Sequence, residues 1–203
     1  MALEFHAADL PAGVDHESLD VALRQLDLME TSLKRFLRLG RGDRLPTQSV
    51  NLAQLVNETL PLVEASCRHA NIQREWNPPD SPITIMGEPD SLRQLLLNLL
   101  VNAIEAATDA SGRPGIVRVE LEQTLDENHQ TILRVLDSGP GPRPEIATRL
   151  FEPFATSKPD GTGLGLSVAQ EIAQSHGATL SWRRTNEMTC FELCFTRSTQ
   201  LPQ

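Results

Sequence analysis

The sequence has no tyrosine, and only six phenylalanines and two tryptophans in 203 residues. A core must therefore come from Leu, Val, Ile and Ala. At 39% hydrophobic residues there is enough apolar material for one good core and a small appendage. Cysteine is scarce as well. Three of them make no disulfide framework, and a reducing, cytoplasmic setting fits best. Cys190 and Cys194 stand four apart in a segment of strand character, so both are expected to face the core. No paired Cys/His spacing marks a zinc site. Positive charge is also short: the formal net charge is −9. That argues against a nucleic-acid partner, which needs a basic surface, and against docking on an anionic membrane. No apolar run reaches membrane-spanning length and no signal peptide is visible. An acidic chain that binds an anion has to do so locally, with backbone N–H groups, a metal and a few cations.

The first third is helical in pattern. Within residues 17–40, Leu19, Ala22, Leu26, Met29, Leu33 and Phe36 form a heptad seam, stopped by Gly40 and Gly42. This is either an amphipathic helix packed on its own domain or one arm of a dimerising helical hairpin. The apolar face is wider than one seam, which favours the hairpin and a homodimer through residues 17–40. Residues 42–49 read as a linker. The predicted domains are 1–44, a partial helical hairpin, and 45–203, where the pattern turns α/β. Asn51 is a candidate N-cap for a helix that Pro61 bends. Strands are expected near 72–76, 83–86, 116–125 and 131–137, and as the final pair ATLSWRR and MTCFELCFT. Helices are expected over 89–107 and 163–176. Adjacent strands are joined by short turns, so the class is α+β, with a mixed or antiparallel sheet covered by helices on one face.

Three clusters carry chemistry. Asn98 and Asn102 interrupt an almost wholly apolar helix; four residues apart, they share a face about 6 Å along the axis. A buried amide left unpaired costs about 1–3 kcal/mol, so these two need partners, either neighbouring backbone or a metal and phosphates. A neutral amide oxygen suits Mg²⁺ held mainly by phosphates and water. Asp137 ends a strand ahead of Gly139 and Gly141. That is ordinary turn chemistry by itself, but a buried carboxylate there can accept from the exocyclic amine of adenine. The run Gly161, Thr162, Gly163, Leu164, Gly165, Leu166 opens a helix whose N–H groups and positive dipole end suit phosphates. It is not a P-loop, since no Gly-Lys-Ser/Thr follows. A long Pro-rich connector precedes it, which makes it a poor dinucleotide fingerprint.

Taken together and in this order, the clusters resemble the catalytic ATP-binding domain of sensor histidine kinases, in the GHKL ATPase superfamily. NLLVNAIEAA at 98–107 resembles the asparagine box, DSGPG at 137–141 the first glycine box, FEPFATSK at 151–158 the phenylalanine box and GTGLGL at 161–166 the second glycine box. The match covers about residues 46–197, and FEPF-ATSK with a short lid looks most like the nitrogen-regulation type. The resemblance implies a two-layer Bergerat-type α/β sandwich that binds ATP and Mg²⁺. It implies Asn102 as metal ligand, Asn98 as support for the phosphates and Asp137 at the adenine amine. Gly139 and Gly141 would shape the adenine side, and the 161–166 backbone would hold the phosphates. It implies an ATP lid from about 142 to 160, anchored by Phe151 and Phe154. Lys158 then either reaches a phosphate or is a solvated lid residue. Thr189 matches a polar position near adenine.

Two departures stand out. Many members of the family carry a Lys or Arg three residues after the metal-binding Asn; here that position is Glu105, so the cation is expected from Lys158. No histidine sits in a phosphoacceptor context. His6 and His16 fall near the hairpin turn, His69 and His176 look like helix ends, and His129 lies in a turn. The acceptor histidine is therefore expected upstream, along with any membrane anchor. The expected function is a two-component kinase piece that supplies the γ-phosphoryl group of Mg-ATP to a histidine on a dimerisation helix, for relay to a response regulator receiver domain. The other candidates are a nucleotide-gated regulatory module and a Ser-kinase-like regulator. The latter lack the 17–40 seam.

Overall fold

The computed structural model describes residues 47–108, 113–124, 130–158 and 161–196. The expected hairpin at 1–44, with its heptad seam, and His6, His16 and His129 lie outside the described residues. Everything below concerns the unit that begins at Arg44.

Strand β1 (Gln48–Asn51) pairs antiparallel with β3 (Thr84–Gly87) in a two-stranded ribbon. The sequence pattern marks β3 but reads the first half of β1, Gln48 and Ser49, as linker. Asn51 then caps α1 (Leu52–Thr59): its side chain accepts from the Ala53 and Gln54 amides at 3.0 and 3.2 Å, as a short amide does at a helix start. Pro61 lacks the N–H that would continue the helix. The chain passes through a 3-10 turn, Leu60–Val63, into α2 (Glu64–His69), so one expected helix becomes three short pieces.

Strands β2 (Ile72–Trp76), β4 (Gly115–Gln123), β5 (Thr131–Asp137), β6 (Ala178–Thr185) and β7 (Met188–Phe195) form a five-stranded sheet in the order β2-β4-β5-β7-β6. The β2–β4 pair is parallel and the others antiparallel. One face carries the core, and alternation along the strands arranges it in cross-strand rows. Leu121, Leu133, Leu193 and Leu180 make one row; Val119, Val135, Phe191 and Trp182 make the next. The row after that is Val117, Asp137, Thr189 and Arg184. The apolar face thus turns polar in a single step, at the end of β5.

Helix α3 (Pro89–Ala107) lies against this face, with Leu96, Leu99, Leu100 and Ala103 wholly buried. Removing one such Leu side chain costs about 2–5 kcal/mol. Pro89 opens the helix at a position that needs no N–H. A four-residue helix α4 (Pro144–Ala147) follows the turn after β5, and α5 (Gly165–Ser175) follows the second glycine cluster. Two ties set α5 on α3. The Asn98 Nδ2 donates to the Gly165 carbonyl at 3.0 Å. At the far end the Glu88 amide donates to His176 Nε2 at 3.0 Å, while His176 Nδ1 lies 2.8 Å from the Ile172 carbonyl. The two helices therefore run antiparallel over the length of α5, which fixes where its N-terminus points.

The α+β class, with a mixed sheet and helices on one face, is as expected. Cys190 and Cys194 are not: alternation puts Phe191, Leu193 and Phe195 on the core face and both thiols on the other. Cys190 is buried there and Cys194 half-buried. Burial raises the pKa of both thiols, which leaves them protonated and poorly nucleophilic. That outer face is laced by ion pairs. Arg118 reaches Glu75 at 2.6 Å, and Arg134 reaches Glu122 at 2.7 Å and Glu192 at 2.6 Å.

Candidate functional site

The polar row at the end of β5 forms one wall. Asp137 has no exposed surface. Its Oδ1 accepts from the Gly139 amide at 2.9 Å, and its Oδ2 has no hydrogen-bond partner. Burial is the largest influence on this carboxyl and lifts its pKa from 3.8 to about 6. The Gly139 amide, the Thr189 hydroxyl and the Arg184 and Lys158 charges pull the other way. An unpartnered buried carboxylate oxygen costs about 1–3 kcal/mol or more. It is a ready acceptor for a donor that arrives from outside, and the exocyclic amine of adenine is such a donor.

The two glycines after Asp137 have distinct reasons. A Cβ on Gly139 would stand 2.4 Å from the Ala106 carbonyl, so the turn rests directly on the end of α3. Gly141 has φ +84°, a conformation that favours glycine. Thr189 is buried beside Asp137 in the sheet register. Its hydroxyl accepts from Arg184 Nη1 at 2.9 Å, and the same nitrogen donates to the Gly139 carbonyl at 2.7 Å. Arg184 thus clamps the turn to the β6–β7 hairpin. The sequence reading missed it. The signal was there: Ala178, Leu180, Trp182 and Arg184 alternate on one face of the predicted strand.

The second wall is α3. Asn98 is buried and both its polar groups are used: Oδ1 accepts from Gln94 Nε2 at 2.9 Å, and Nδ2 holds Gly165. Its place in the site is to set the start of α5. Asn102, one turn on, is different. Its Oδ1 accepts from Lys158 Nζ at 3.2 Å, and Lys158 also meets Glu105 Oε2 at 2.5 Å. A cation therefore already stands at the amide oxygen expected to face a metal. The donor set fits Mg²⁺ as a minor protein ligand, since such ions keep waters and phosphate oxygens as their main partners. No cluster of three or more His, Cys, Asp or Glu able to hold a metal exists among the described residues.

The lid connects the walls. Phe151 packs edge-on against Phe191, with ring centroids 6.4 Å apart at 81°, and Trp182 Nε1 donates to the Ala147 carbonyl at 3.3 Å. Leu150 is buried. These three hold the first half of the lid to the core. Phe154 does not anchor it, contrary to expectation. It is 74% exposed and has φ +66°, because its backbone, not its ring, is used: the Phe154 amide donates to the Gly163 carbonyl at 3.1 Å. Gly163, at φ +68°, would drive a Cβ to 2.5 Å from the Phe154 carbonyl carbon. The lid thus crosses the second glycine cluster backbone to backbone. Gly161 packs as closely, a Cβ there falling 2.7 Å from Thr156 Oγ1.

Helix α5 begins at Gly165, two residues later than expected, with Leu164 as N-cap residue and no side-chain cap. No acidic residue stands in its first turn. Its first N–H groups lack intrahelical partners, as at any helix start, and a Cβ on Gly165 would meet nothing within 4 Å. Thr162, Leu164 and Leu166 are half-buried around it. Asp137, Gly139 and Gly141 therefore gather at the sheet end, while Asn98, Asn102, Lys158 and the 161–166 backbone gather between α3, the lid and α5.

Residues 87–199 match the family described as histidine kinase-, DNA gyrase B-, and HSP90-like ATPase. The chain is 34% identical over 178 residues to the sensor histidine kinase ZraS of Salmonella typhimurium. That similarity covers 87% of this chain and 37% of ZraS, so the chain spans a little over a third of that relative's length. Among solved structures, the catalytic domain of histidine kinase ThkA is similar with a TM-score of 0.62 and 27% identity, over 75% of this chain and 99% of ThkA's. Histidine kinase ThkA, solved in complex with the response regulator protein TrrA, shares the fold over 94% of this chain and 53% of that ThkA chain, with a TM-score of 0.68 and 24% identity. Among the described residues no helix is long and apolar enough to cross a membrane. Every element that carries these site residues falls within the matched region, and the chain belongs to the family of histidine kinase-, DNA gyrase B- and HSP90-like ATPases.

Proposed function

We propose that this chain is the ATP-binding catalytic part of a sensor histidine kinase. It holds Mg-ATP between the sheet end and the lid and presents the γ-phosphoryl group to a histidine on a dimerisation helix. The observation that carries the reading is the pair of unsatisfied groups at the two ends of the site. Asp137 Oδ2 is buried without a donor at one end, and the uncapped start of α5 has free N–H groups at the other. Adenine supplies the donor and phosphate the acceptors.

In this reading Asp137 accepts from the adenine amine. Guanine carries a carbonyl oxygen at that ring position and would be repelled. The backbone of Gly161, Thr162, Gly163, Leu164, Gly165 and Leu166 receives the phosphates. Asn102 would hold Mg²⁺ through its amide oxygen, and the ion would supply positive charge beside the transferred group. Asn98 keeps Gly165 in place. Related hydrolases of the superfamily place a water-orienting Glu where Asn98 stands. An amide is a poor base, so hydrolysis is expected to be slow and transfer to depend on a nucleophile brought by another helix. The phosphoryl group then passes to a response regulator, the kind of partner held by ThkA in its complex.

Calorimetric titration with Mg-ATP tests the site. Asn102→Ala should remove the metal-dependent affinity, and an unchanged affinity overturns the assignment. Incubation with γ-labelled ATP and a supplied dimerisation helix tests the transfer. Acid-labile label on that helix is the expected result. Acid-stable label, typical of a phosphorylated hydroxyl, would instead place the chain among Ser-kinase-like regulators.

A further inference from the structure

The chain has only two lysines, Lys34 and Lys158, against sixteen arginines. Lys158 lies on the lid, and its ammonium meets two side chains of α3 from one face, Asn102 and Glu105. Residues three apart on a helix are neighbours on its surface, so the amide oxygen and the carboxylate form a small two-point seat. The Glu105 contact is the shorter, at 2.5 Å against 3.2 Å. Both charged side chains keep solvent access, 39% for Lys158 and 51% for Glu105. The seat can therefore be left without unfolding anything.

We propose that Glu105 is a positioning residue that parks the lid cation. In the empty pocket its carboxylate holds Lys158 at the Asn102 oxygen, where the ammonium stands in for the divalent ion. When nucleotide enters, Lys158 exchanges this seat for phosphate oxygen and Asn102 is freed for the metal. The inference rests on the Mg-ATP reading of the pocket.

The physics follows from charge placement. Glu105 without Lys158 would be a bare carboxylate facing a polyanion, and it would oppose nucleotide binding. With Lys158 in place the pair is neutral and brings a mobile donor to the pocket. A lysine suits this role better than an arginine, being a compact point charge on a flexible stem. The lid thereby supplies the positive charge that α3 itself, with a Glu at 105, does not. It also couples the lid to the metal: one amide oxygen cannot serve the ammonium and Mg²⁺ together. Metal binding and the parked lid exclude each other.

The test is a charge-relocation cycle on the whole chain, read by calorimetry with ATP, with and without Mg²⁺. Wild-type binding of Mg-ATP is established first; its absence would overturn the site reading and this inference with it. Lys158→Met should weaken ATP binding by about tenfold or more, the scale of one lost charge-assisted hydrogen bond. Adding Glu105→Gln to Lys158→Met should recover part of the loss, because the bare carboxylate is gone. Glu105→Lys in the Lys158→Met background, which moves the cation from lid to helix, should recover most of it. A merely structural salt bridge would show no such rescue. Glu105→Gln alone should tighten binding of ATP without Mg²⁺ more than with it, since the freed ammonium then serves phosphate. A Glu105→Lys, Lys158→Met protein that binds no better than Lys158→Met, while wild type binds well, overturns the inference and leaves the site assignment intact.

Discussion

The two ends of the pocket are built in opposite ways. The adenine end is a row of one sheet. Asp137, Thr189 and Arg184 sit side by side in register on β5, β7 and β6, and the first two are buried. The phosphate end is a meeting of separate elements. Lys158 reaches α3 across 53 and 56 residues of sequence, and Asn98 reaches α5 across 67. At the adenine end a single atom, Asp137 Oδ2, is left wanting. At the phosphate end the helix start is uncapped, but the side chains around it, Asn102, Glu105 and Lys158, are satisfied by one another, and a ligand must replace those contacts. A sheet row can be rigid and selective. A junction of helix and lid can rearrange, and charge is placed where rearrangement occurs.

The largest effect should come from separating the two ends by ligand. Asn102→Ala is expected to weaken Mg-ATP on the order of a hundredfold and to leave adenosine nearly unaffected. Asp137→Asn is expected to weaken both by about ten- to a hundredfold. The Gly139 amide donates to one carboxylate oxygen, so an Asn must keep its oxygen there. Its NH₂ then faces the adenine amine, donor against donor. Titration calorimetry with both ligands decides the matter. Equal losses of adenosine and Mg-ATP in Asn102→Ala would dissolve the distinction between the ends.

The next effect is on stability, and it isolates the adenine end. Asp137 has a folded pKa raised to about 6 from 3.8, so the folded protein binds its proton more readily than the unfolded chain. The neutral form's contribution is complete below about pH 4 and is lost as pH rises through 6. The total is about 3 kcal/mol at about 1.4 kcal/mol per unit. Urea unfolding of wild type against Asp137→Asn from pH 4 to 8 should show the difference growing in favour of Asn as pH rises. A difference flat with pH would mean that Asp137 is not desolvated.

Gly139 probes the same end through packing. An Ala there would push its Cβ into the Ala106 carbonyl, and the backbone has to give. A loss of about 1–3 kcal/mol is expected, with a lowered Tm in the absence of any ligand. An unchanged Tm would show that the turn does not rest on α3.

How far the sequence foretold each end follows from the same contrast. The sheet row was legible in part, because alternation and turn residues mark strands. Strand β5 and helix α3 were expected over the very residues they occupy. Asp137 could be named from its place at a strand end; for Arg184 alternation marked the face but not the role, which depends on which strands are neighbours. The β5–β7 pairing is set by long-range packing and leaves no local sign. The phosphate end was legible as motifs and not as contacts. Phe154 looked like an anchor by composition, yet its left-handed backbone and exposed ring come from the crossing with Gly163. Glu105 looked only like a missing cation, and its meaning appears once Lys158 is found beside it. Cys190 and Cys194 show a similar limit: period-two spacing puts them on one face, and only the helices decide which face is the core.

Gly165 gives the smallest expected effect and a direct contrast with Gly139. A Cβ at Gly165 meets nothing within 4 Å, and the residue is the first of α5. It has no positive φ, so glycine is not needed there for the fold. Replacing it with Ala lowers the entropy of the unfolded chain and favours helix, so Gly165→Ala should stabilise the empty protein by about 0.5–1 kcal/mol. The open space beside it is then what phosphate would use. The same substitution should weaken Mg-ATP while leaving adenosine alone. Thermal unfolding without ligand and calorimetry with both ligands read the two effects separately. A variant that is more stable and binds Mg-ATP as wild type does would show that the phosphates do not approach the start of α5. The glycine would then be explained by neither the fold nor the ligand, and the division between a rigid adenine end and an open phosphate end would have to be redrawn.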